Sequence, residues 1–310
     1  MTYSFPNIEH IVLSGAAHGF FTYLGVFDVL FNHKYIELKK IKSIHGTSAG
    51  SILAVILLLD IELNIVIDYF LERPWQEVFV FEDNLLNIIN ENGLWNIESI
   101  KKLFSPLFSL KEITMDISLE NFYKLTNTEI FIYATDLKTF DKVVFSHNRH
   151  PNMKLMDAIY MSCSLPFLFI PMCYNNKYYI DGGFSANYPI DSLLENIENP
   201  DSIFGVKCMG DCLKNKEPEN NTNEETIKNI NFFELIQCLI FNPIFKITTT
   251  NLFEHKIKNE IYIYSCGGLN IDVIKSISNS YEERLKLIDG GREEANEFLN
   301  EKYIISSKKI

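Results

Sequence analysis

Ser48 is the residue on which a chemistry can be built. It stands in Gly46-Thr47-Ser48-Ala49-Gly50, a G-x-S-x-G between a candidate strand, Ile41 to His45, and a very apolar candidate helix, Ser51 to Leu59. That context is what a nucleophile elbow requires: the flanking glycines permit a sharp turn that exposes the hydroxyl, and the helix N-terminus behind it stabilises a developing alkoxide. A serine nucleophile also needs a base and donors for an oxyanion. Upstream, Gly15-Ala16-Ala17-His18-Gly19 forms a small-residue turn whose backbone N–H groups can reach such an oxyanion, although a plain strand-to-helix turn would look the same. Downstream, Asp181 follows the apolar Tyr179-Ile180 and precedes Gly182-Gly183, a carboxylate at a strand end beside a glycine turn.

These residues have to be held by an α/β framework. Ile8 to Leu13 reads as a strand, and Phe20 to Asn32 as a helix with Leu24, Phe27, Val29 and Leu30 on its apolar side. With the second strand and the helix after Ser48, this makes two successive strand–turn–helix units, the pattern of a mostly parallel sheet. Phe81 to Leu125 reads as irregular helix interrupted at Asn92-Gly93 and at Ser105-Pro106. Further strands are expected at Glu129 to Thr135, Lys142 to Ser146, Lys177 to Ile180, Ser202 to Val206 and Glu260 to Tyr264. Lys214 to Asn223 reads as a surface loop, Asn231 to Phe245 as an apolar helix and Ser280 to Leu299 as a charged amphipathic one. With no repeat and no long linker, the expectation is one α/β domain over residues 1–310, its motif-bearing core at about 8–190 and residues 191–310 completing the sheet and its covering helices.

Composition excludes several other classes. At 310 residues, 47% hydrophobic and 22% charged, the chain is neither disordered nor fibrous. A net charge of −12 without a dense Lys/Arg stripe argues against nucleic acid as a partner. Cys163, Cys173, Cys208, Cys212, Cys238 and Cys266 include no C-x-x-C pair, so neither a zinc site nor a disulfide framework is expected and a reducing, cytoplasmic setting is the default. Met1 to His10 lacks the basic and apolar regions of a signal peptide, and the apolar run Ile52 to Leu59 is too short to span a bilayer. His45, His147 and His150 have no metal-ligand spacing and read as packed or solvated side chains.

Taken in order, Leu13 to Gly19 with Gly25-Val26, Gly46 to Gly50, Ala134-Thr135-Asp136-Leu137, Asp157-Ala158-Ile159, Ser162-Cys163-Ser164-Leu165-Pro166-Phe167, Asp181-Gly182-Gly183 and Asn187-Tyr188-Pro189 resemble the motif series of the patatin-like phospholipases, relatives of cytosolic phospholipase A2 and the adipose triglyceride lipases. The resemblance covers about Ile8 to Ile190. It implies a three-layer fold with a mostly parallel sheet between helices. It also implies a Ser-Asp dyad, with Ser48 as nucleophile and Asp181 as base, that works through an acyl-enzyme without metal or organic cofactor. The oxyanion would be held by N–H groups of Gly15, Ala16, Ala17 and Ala49. The substrate implied is a phospholipid or other acyl lipid, met by peripheral binding at a membrane surface; the sequence identifies no activating protein partner. The chain departs from the family pattern G-G-G-x-[KR]-G, since Ala16 and Ala17 replace two glycines and the basic residue is missing, with His18 one position earlier.

Two other readings compete. An α/β-hydrolase triad would need His255, the histidine that follows Asp181, but His255 sits in a helical pattern and Ser48 comes after only two strands. A lipid-binding protein that keeps the fold without catalysis would fit the altered turn, but has no chemical need of both Ser48 and Asp181.

Overall fold

The computed structural model describes residues 5–81, 90–210, 235, 257–265 and 271–307. Among the described residues eight strands form one sheet: β1 (His10–Leu13), β2 (Ser43–Thr47), β3 (Glu129–Asp136), β4 (Lys142–Phe145), β5 (Met172–Tyr174), β6 (Lys177–Asp181), β7 (Ile203–Gly210) and β8 (Asn259–Ser265). Hydrogen-bonded neighbours follow the path β5-β6-β3-β2-β1-β7-β8, with β4 also on β3. The pairs β1–β2, β1–β7, β2–β3 and β7–β8 are parallel, while β4 and β6 pair antiparallel to β3 and β5 to β6. The helices around it include α1 (Phe20–Asn32), α2 (Ala49–Leu58), α3 (Leu63–Glu72), α4 (Ile97–Leu110), α5 (Leu119–Thr126), α6 (Leu155–Ser162), α7 (Gly183–Ala186), α8 (Ile190–Leu194), α9 (Ile271–Asn279) and α10 (Tyr281–Ser307). The mixed α/β architecture expected from the strand–turn–helix repeats is the one observed.

The central strands are apolar almost throughout because both faces are covered. In β1, Ile11, Val12 and Leu13 are fully buried, and in β2 every residue is buried. The register along β3 sets where the elbow and the Asp181 loop meet. β2 pairs with it from Ser43↔Glu129 to Thr47↔Tyr133, and β4 pairs from Ile132↔Phe145 to Thr135↔Lys142. Because Tyr133 faces partners in both β2 and β4, those two strands lie on opposite edges of β3. β6 pairs with Ala134, Thr135 and Asp136, of which the first two already have β4 on one side, so β6 must continue the β2 edge. Thr47 and Asp181 therefore occupy consecutive positions on that edge, opposite Tyr133 and Ala134.

One expectation fails locally. α4 runs unbroken from Ile97 to Leu110 through Pro106, where an interruption was expected. Proline removes the N–H that would have bonded to the carbonyl of Lys102. That carbonyl instead accepts the Arg73 guanidinium at 3.1 Å, and the neighbouring Leu103 carbonyl accepts the Tyr69 hydroxyl at 2.8 Å, so tertiary donors replace the lost one. The interruption at Asn92-Gly93 is present, with Asn92 at φ 61°. The loop over Lys214–Asn223, the helix over Asn231–Phe245 (apart from Leu235) and His255 lie outside the described residues.

α10 crosses α1 at backbone contact. A Cβ on Gly25 would lie 1.9 Å from the Ile288 carbonyl oxygen, and one on Gly291 would lie 2.0 Å from that of Thr22. Arg292 closes the same crossing with a 2.7 Å ion pair to Asp28. Gly25→Ala should therefore push the helices apart and cost about 1–3 kcal/mol, read as a lower midpoint in thermal or urea unfolding; an unchanged midpoint would show that the crossing adjusts freely.

Candidate active site

Ser48 is the turning point between β2 and α2, at φ 51° and ψ −122°. A left-handed φ is unfavourable for a residue with a Cβ, so the conformation has to be imposed by its surroundings. The Ser48 N–H donates to Ser162 Oγ at 2.8 Å, and that hydroxyl donates in turn to the Tyr133 carbonyl at 2.5 Å. Below the turn the Ser51 hydroxyl donates to the Ser48 carbonyl at 2.7 Å. Gly46 and Gly50 allow the close passage: a Cβ on Gly46 would stand 2.6 Å from the Gly50 carbonyl oxygen, and one on Gly50 2.5 Å from that of Leu13. Ser162 carries no signal of this role in the sequence beyond its motif; a serine at the end of α6 becomes legible only when the fold brings it under Ser48.

Asp181 arrives at the same place as the last residue of β6. Its N–H donates to the Ser164 carbonyl (2.9 Å), its carbonyl accepts the Thr135 hydroxyl (2.9 Å), and its Oδ1 accepts the Gly183 N–H (2.7 Å). The Gly182 N–H donates to the Ser162 carbonyl at 3.2 Å, which ties the glycine turn to the element that holds Ser48. Oδ2 is buried without a hydrogen-bond partner. Burial raises the Asp181 pKa to about 6, while the neighbouring Ser48 hydroxyl and then the Gly183 amide pull it back down. Cys163 lies in the same pocket, its Sγ 3.9 Å from Ser51 Oγ, and burial, then the Asp181 charge, keep it a neutral thiol.

The turn before α1 is anchored on two sides. Ser14 donates to Tyr23 Oη (2.9 Å), accepts the Cys208 N–H at Oγ (2.7 Å) and accepts the Tyr23 hydroxyl at its carbonyl (2.6 Å). The Gly15 N–H donates to the Asn187 carbonyl at 2.9 Å, so this amide is already committed. Asn187 Oδ1 packs against both Gly15 and Gly183, which places the side chain between the two turns. Ala17 takes φ 47°, the conformation its glycine-like position demands, and among the described residues no hydrogen bond engages the amides of Ala16, Ala17 or Ala49.

A cavity of about 160 Å³ opens from Ser48, Ala17, His18 and Ala49 into an aromatic wall of Phe70, Trp75, Phe79, Trp95 and Phe169. Trp75 donates its indole N–H to the Phe70 carbonyl and Trp95 to that of Val80, each at 2.8 Å, so the polar handles are satisfied and the rings present apolar surface. The histidines elsewhere pack as expected. His45 stacks on Phe131 at 4.3 Å, exchanges a 2.7 Å hydrogen bond with Tyr133 Oη, and is held neutral by burial at a pKa of about 3. His147 stacks on Tyr123 at 3.8 Å, and His150 meets the edge of Phe145. Among the described residues no group of three or more His, Cys, Asp or Glu side chains could hold a metal ion.

A profile of the patatin-like phospholipases matches residues 11–194, more than half of the chain, including both turns, the elbow and the Asp181 loop. The chain belongs to the patatin-like phospholipase family. The patatin-like chain is similar to the probable lipid hydrolase 463L of Invertebrate iridescent virus 6, 28% identical over 270 residues, or 79% of this chain and 86% of the relative. The omega-hydroxyceramide transacylase of Mus musculus is 26% identical over 204 residues, 62% of this chain but 30% of the transacylase. The crystal structure of VipD from Legionella pneumophila shares the fold, with a TM-score of 0.55 at 15% identity over 96% of this chain and 67% of VipD.

Because the folded-state pKa of Asp181 lies above its ordinary 3.8, the native state holds a proton between pH 4 and 6 that the unfolded chain releases, and stability falls as pH rises through that window. The difference between 3.8 and 6 corresponds to about 3 kcal/mol lost at neutral pH. Asp181→Asn, which keeps an acceptor for the Gly183 amide, should unfold at higher denaturant than wild type at pH 7 and lose that advantage below pH 4; equal midpoints at pH 7 would contradict the buried-charge reading.

Proposed function

We propose that the chain is a lipid acyl hydrolase of phospholipase A type in which Ser48 and Asp181 form the catalytic dyad. The observation that carries this reading is the abutment of β2 and β6 on one edge of β3, which brings a strained serine and a desolvated carboxylate together with one carboxyl oxygen unengaged. Asp181 takes the Ser48 proton as Oγ attacks the ester carbonyl. The oxyanion is met by the Ala49 amide at the start of α2, with the Ala16 and Ala17 amides opposite; Gly15, whose amide is bonded to Asn187, supports the turn rather than the charge. The tetrahedral adduct collapses, the alcohol leaves with the proton held by Asp181, and an acyl-Ser48 ester remains. Water, deprotonated by the same Asp181, then attacks the acyl carbonyl, and the fatty acid is released as Ser48 Oγ leaves and takes the proton back from Asp181.

The apolar cavity supports an acyl group as the bound portion, since its wall offers ring faces and no charge. A carboxylate with a pKa near 6 is a competent base at neutral pH while remaining basic enough to accept a proton. The same apolar cavity favours a second outcome, transfer of the acyl group to a lipid alcohol in place of water, the type of reaction named for the mouse relative. No step calls on a metal or organic cofactor.

Ser48→Ala and Asp181→Asn should each lower fatty-acid release from phospholipid vesicles by at least about a thousandfold while both proteins stay folded. Substantial activity in Asp181→Asn would remove the dyad. For wild type, kcat/KM should fall about tenfold per pH unit below pH 6, because only the ionised Asp181 can take the proton; a profile flat down to pH 4 would contradict Asp181 as base.

A further inference from the structure

Phe140 breaks a local rule. It occupies the turn between β3 and β4 at φ 60° and is 54% exposed, a bulky ring in a left-handed conformation that contributes little to the core. The adjacent β5–β6 turn meets the same backbone demand with Asn175 and Asn176, at φ 50° and 60°, residue types suited to it. Leu137 (39% exposed) opens the same turn and donates its N–H to the carbonyl of Tyr178 (54% exposed) at 2.9 Å, and the Phe140 ring meets Phe184 edge-on at 6.4 Å.

Register gives this cluster a position. Asp181 lies opposite Ala134, whereas Asp136 lies two residues farther along β3, about 7 Å beyond it at strand spacing. Both hairpin tips therefore project past the end of the sheet that carries Ser48 and Asp181. The β3–β4 tip is held stiffly: Asp136 Oδ1 accepts the Lys138 and Thr139 amides at 3.0 and 3.3 Å, and Oδ2 pairs with Lys177 of the next hairpin at 3.0 Å. Lys138, Lys142 and Lys177 belong to the same two hairpins, Lys177 paired to Asp136 and Lys142 donating to Ser192 Oγ at 2.6 Å, with Asp141 as the other carboxylate of the turn, in a chain whose net charge is −12.

We propose that Leu137, Phe140 and Tyr178, with the lysines of the two hairpins, form the surface by which the protein docks on an anionic lipid membrane. The proposal rests on the lipid-hydrolase reading for its purpose: the aromatic tip enters the headgroup region, the lysines meet anionic headgroups, and the end of the sheet bearing Ser48 is turned toward the lipid. No described helix is long and apolar enough to cross a membrane.

The test uses vesicles of phosphatidylcholine with and without phosphatidylglycerol. Phe140→Trp adds an exposed indole to the two tryptophans of the chain, Trp75 and Trp95, both buried. Its emission should shift to the blue on vesicle addition, more strongly with phosphatidylglycerol. Phe140→Asn should partition about tenfold less in sedimentation, melt no lower than wild type, and hydrolyse p-nitrophenyl butyrate, a water-soluble ester, at the wild-type rate. Lys138→Glu should weaken binding only to the anionic vesicles. Absence of the blue shift, wild-type partitioning by Phe140→Asn, or binding routed through another protein with none to bare vesicles would overturn the proposal. A wild type inert on the soluble ester, with partitioning still lost in Phe140→Asn, would overturn the hydrolase reading and leave the docking surface standing.

Discussion

Each edge of a β-strand can hydrogen-bond one neighbour at each residue, and the competition for one edge of β3 organises this molecule. β4 occupies one side of Ile132 to Thr135. On the other side β2 ends at Thr47 and β6 begins its pairing at Asp181, so a parallel and an antiparallel strand share a single edge end to end. A slip of β6 by one residue would turn Asp181 to the opposite face of the sheet, and a slip of two would carry it about 7 Å away. The Thr135 hydroxyl on the Asp181 carbonyl and the Ser164 carbonyl on its amide pin that register from above and below.

The place where the two strands meet is locally unfavourable in three ways. Ser48 and Ala17 each hold a positive φ, at roughly 1–2 kcal/mol apiece, and Asp181 buries a carboxylate. What sustains them is rigid and remote. Ser162 spans from the Ser48 amide to the β3 backbone, Asn187 fastens the Gly15 turn beside the Asp181 loop, and Tyr23 locks Ser14 from within α1. α1 is in turn held by the glycine crossing with α10, so a contact at Gly25 and Gly291 bears on the turn that begins α1.

Much of this was legible in the residues. The strand–turn–helix order, α1 to the residue, the elbow and the α/β class come from local pattern, because small-residue turns and apolar periodicity act over short range. What local pattern could not give depends on partners distant in sequence. Nothing near Pro106 announces that Arg73 will take the freed carbonyl, nothing near Ser162 announces Ser48, and β5, only three residues long, has too little sequence to show alternation. The commitment of the Gly15 amide to Asn187 is of the same kind. Alanine at position 17 signalled an altered turn, and its observed φ shows that the backbone keeps the shape a glycine would take while carrying the side chain.

The aromatic wall beyond Ser48 limits what the site can tell apart. With the indole N–H groups of Trp75 and Trp95 turned into the backbone, the rings facing the cavity carry no donor or acceptor with which to test a ligand's functional groups. Such a wall measures length and shape alone, and one methylene more or less changes the fit by only about 1–3 kcal/mol. Discrimination among aliphatic chains along this wall is therefore a slope and not a threshold, and a sharp choice of molecule has to be made by groups outside it.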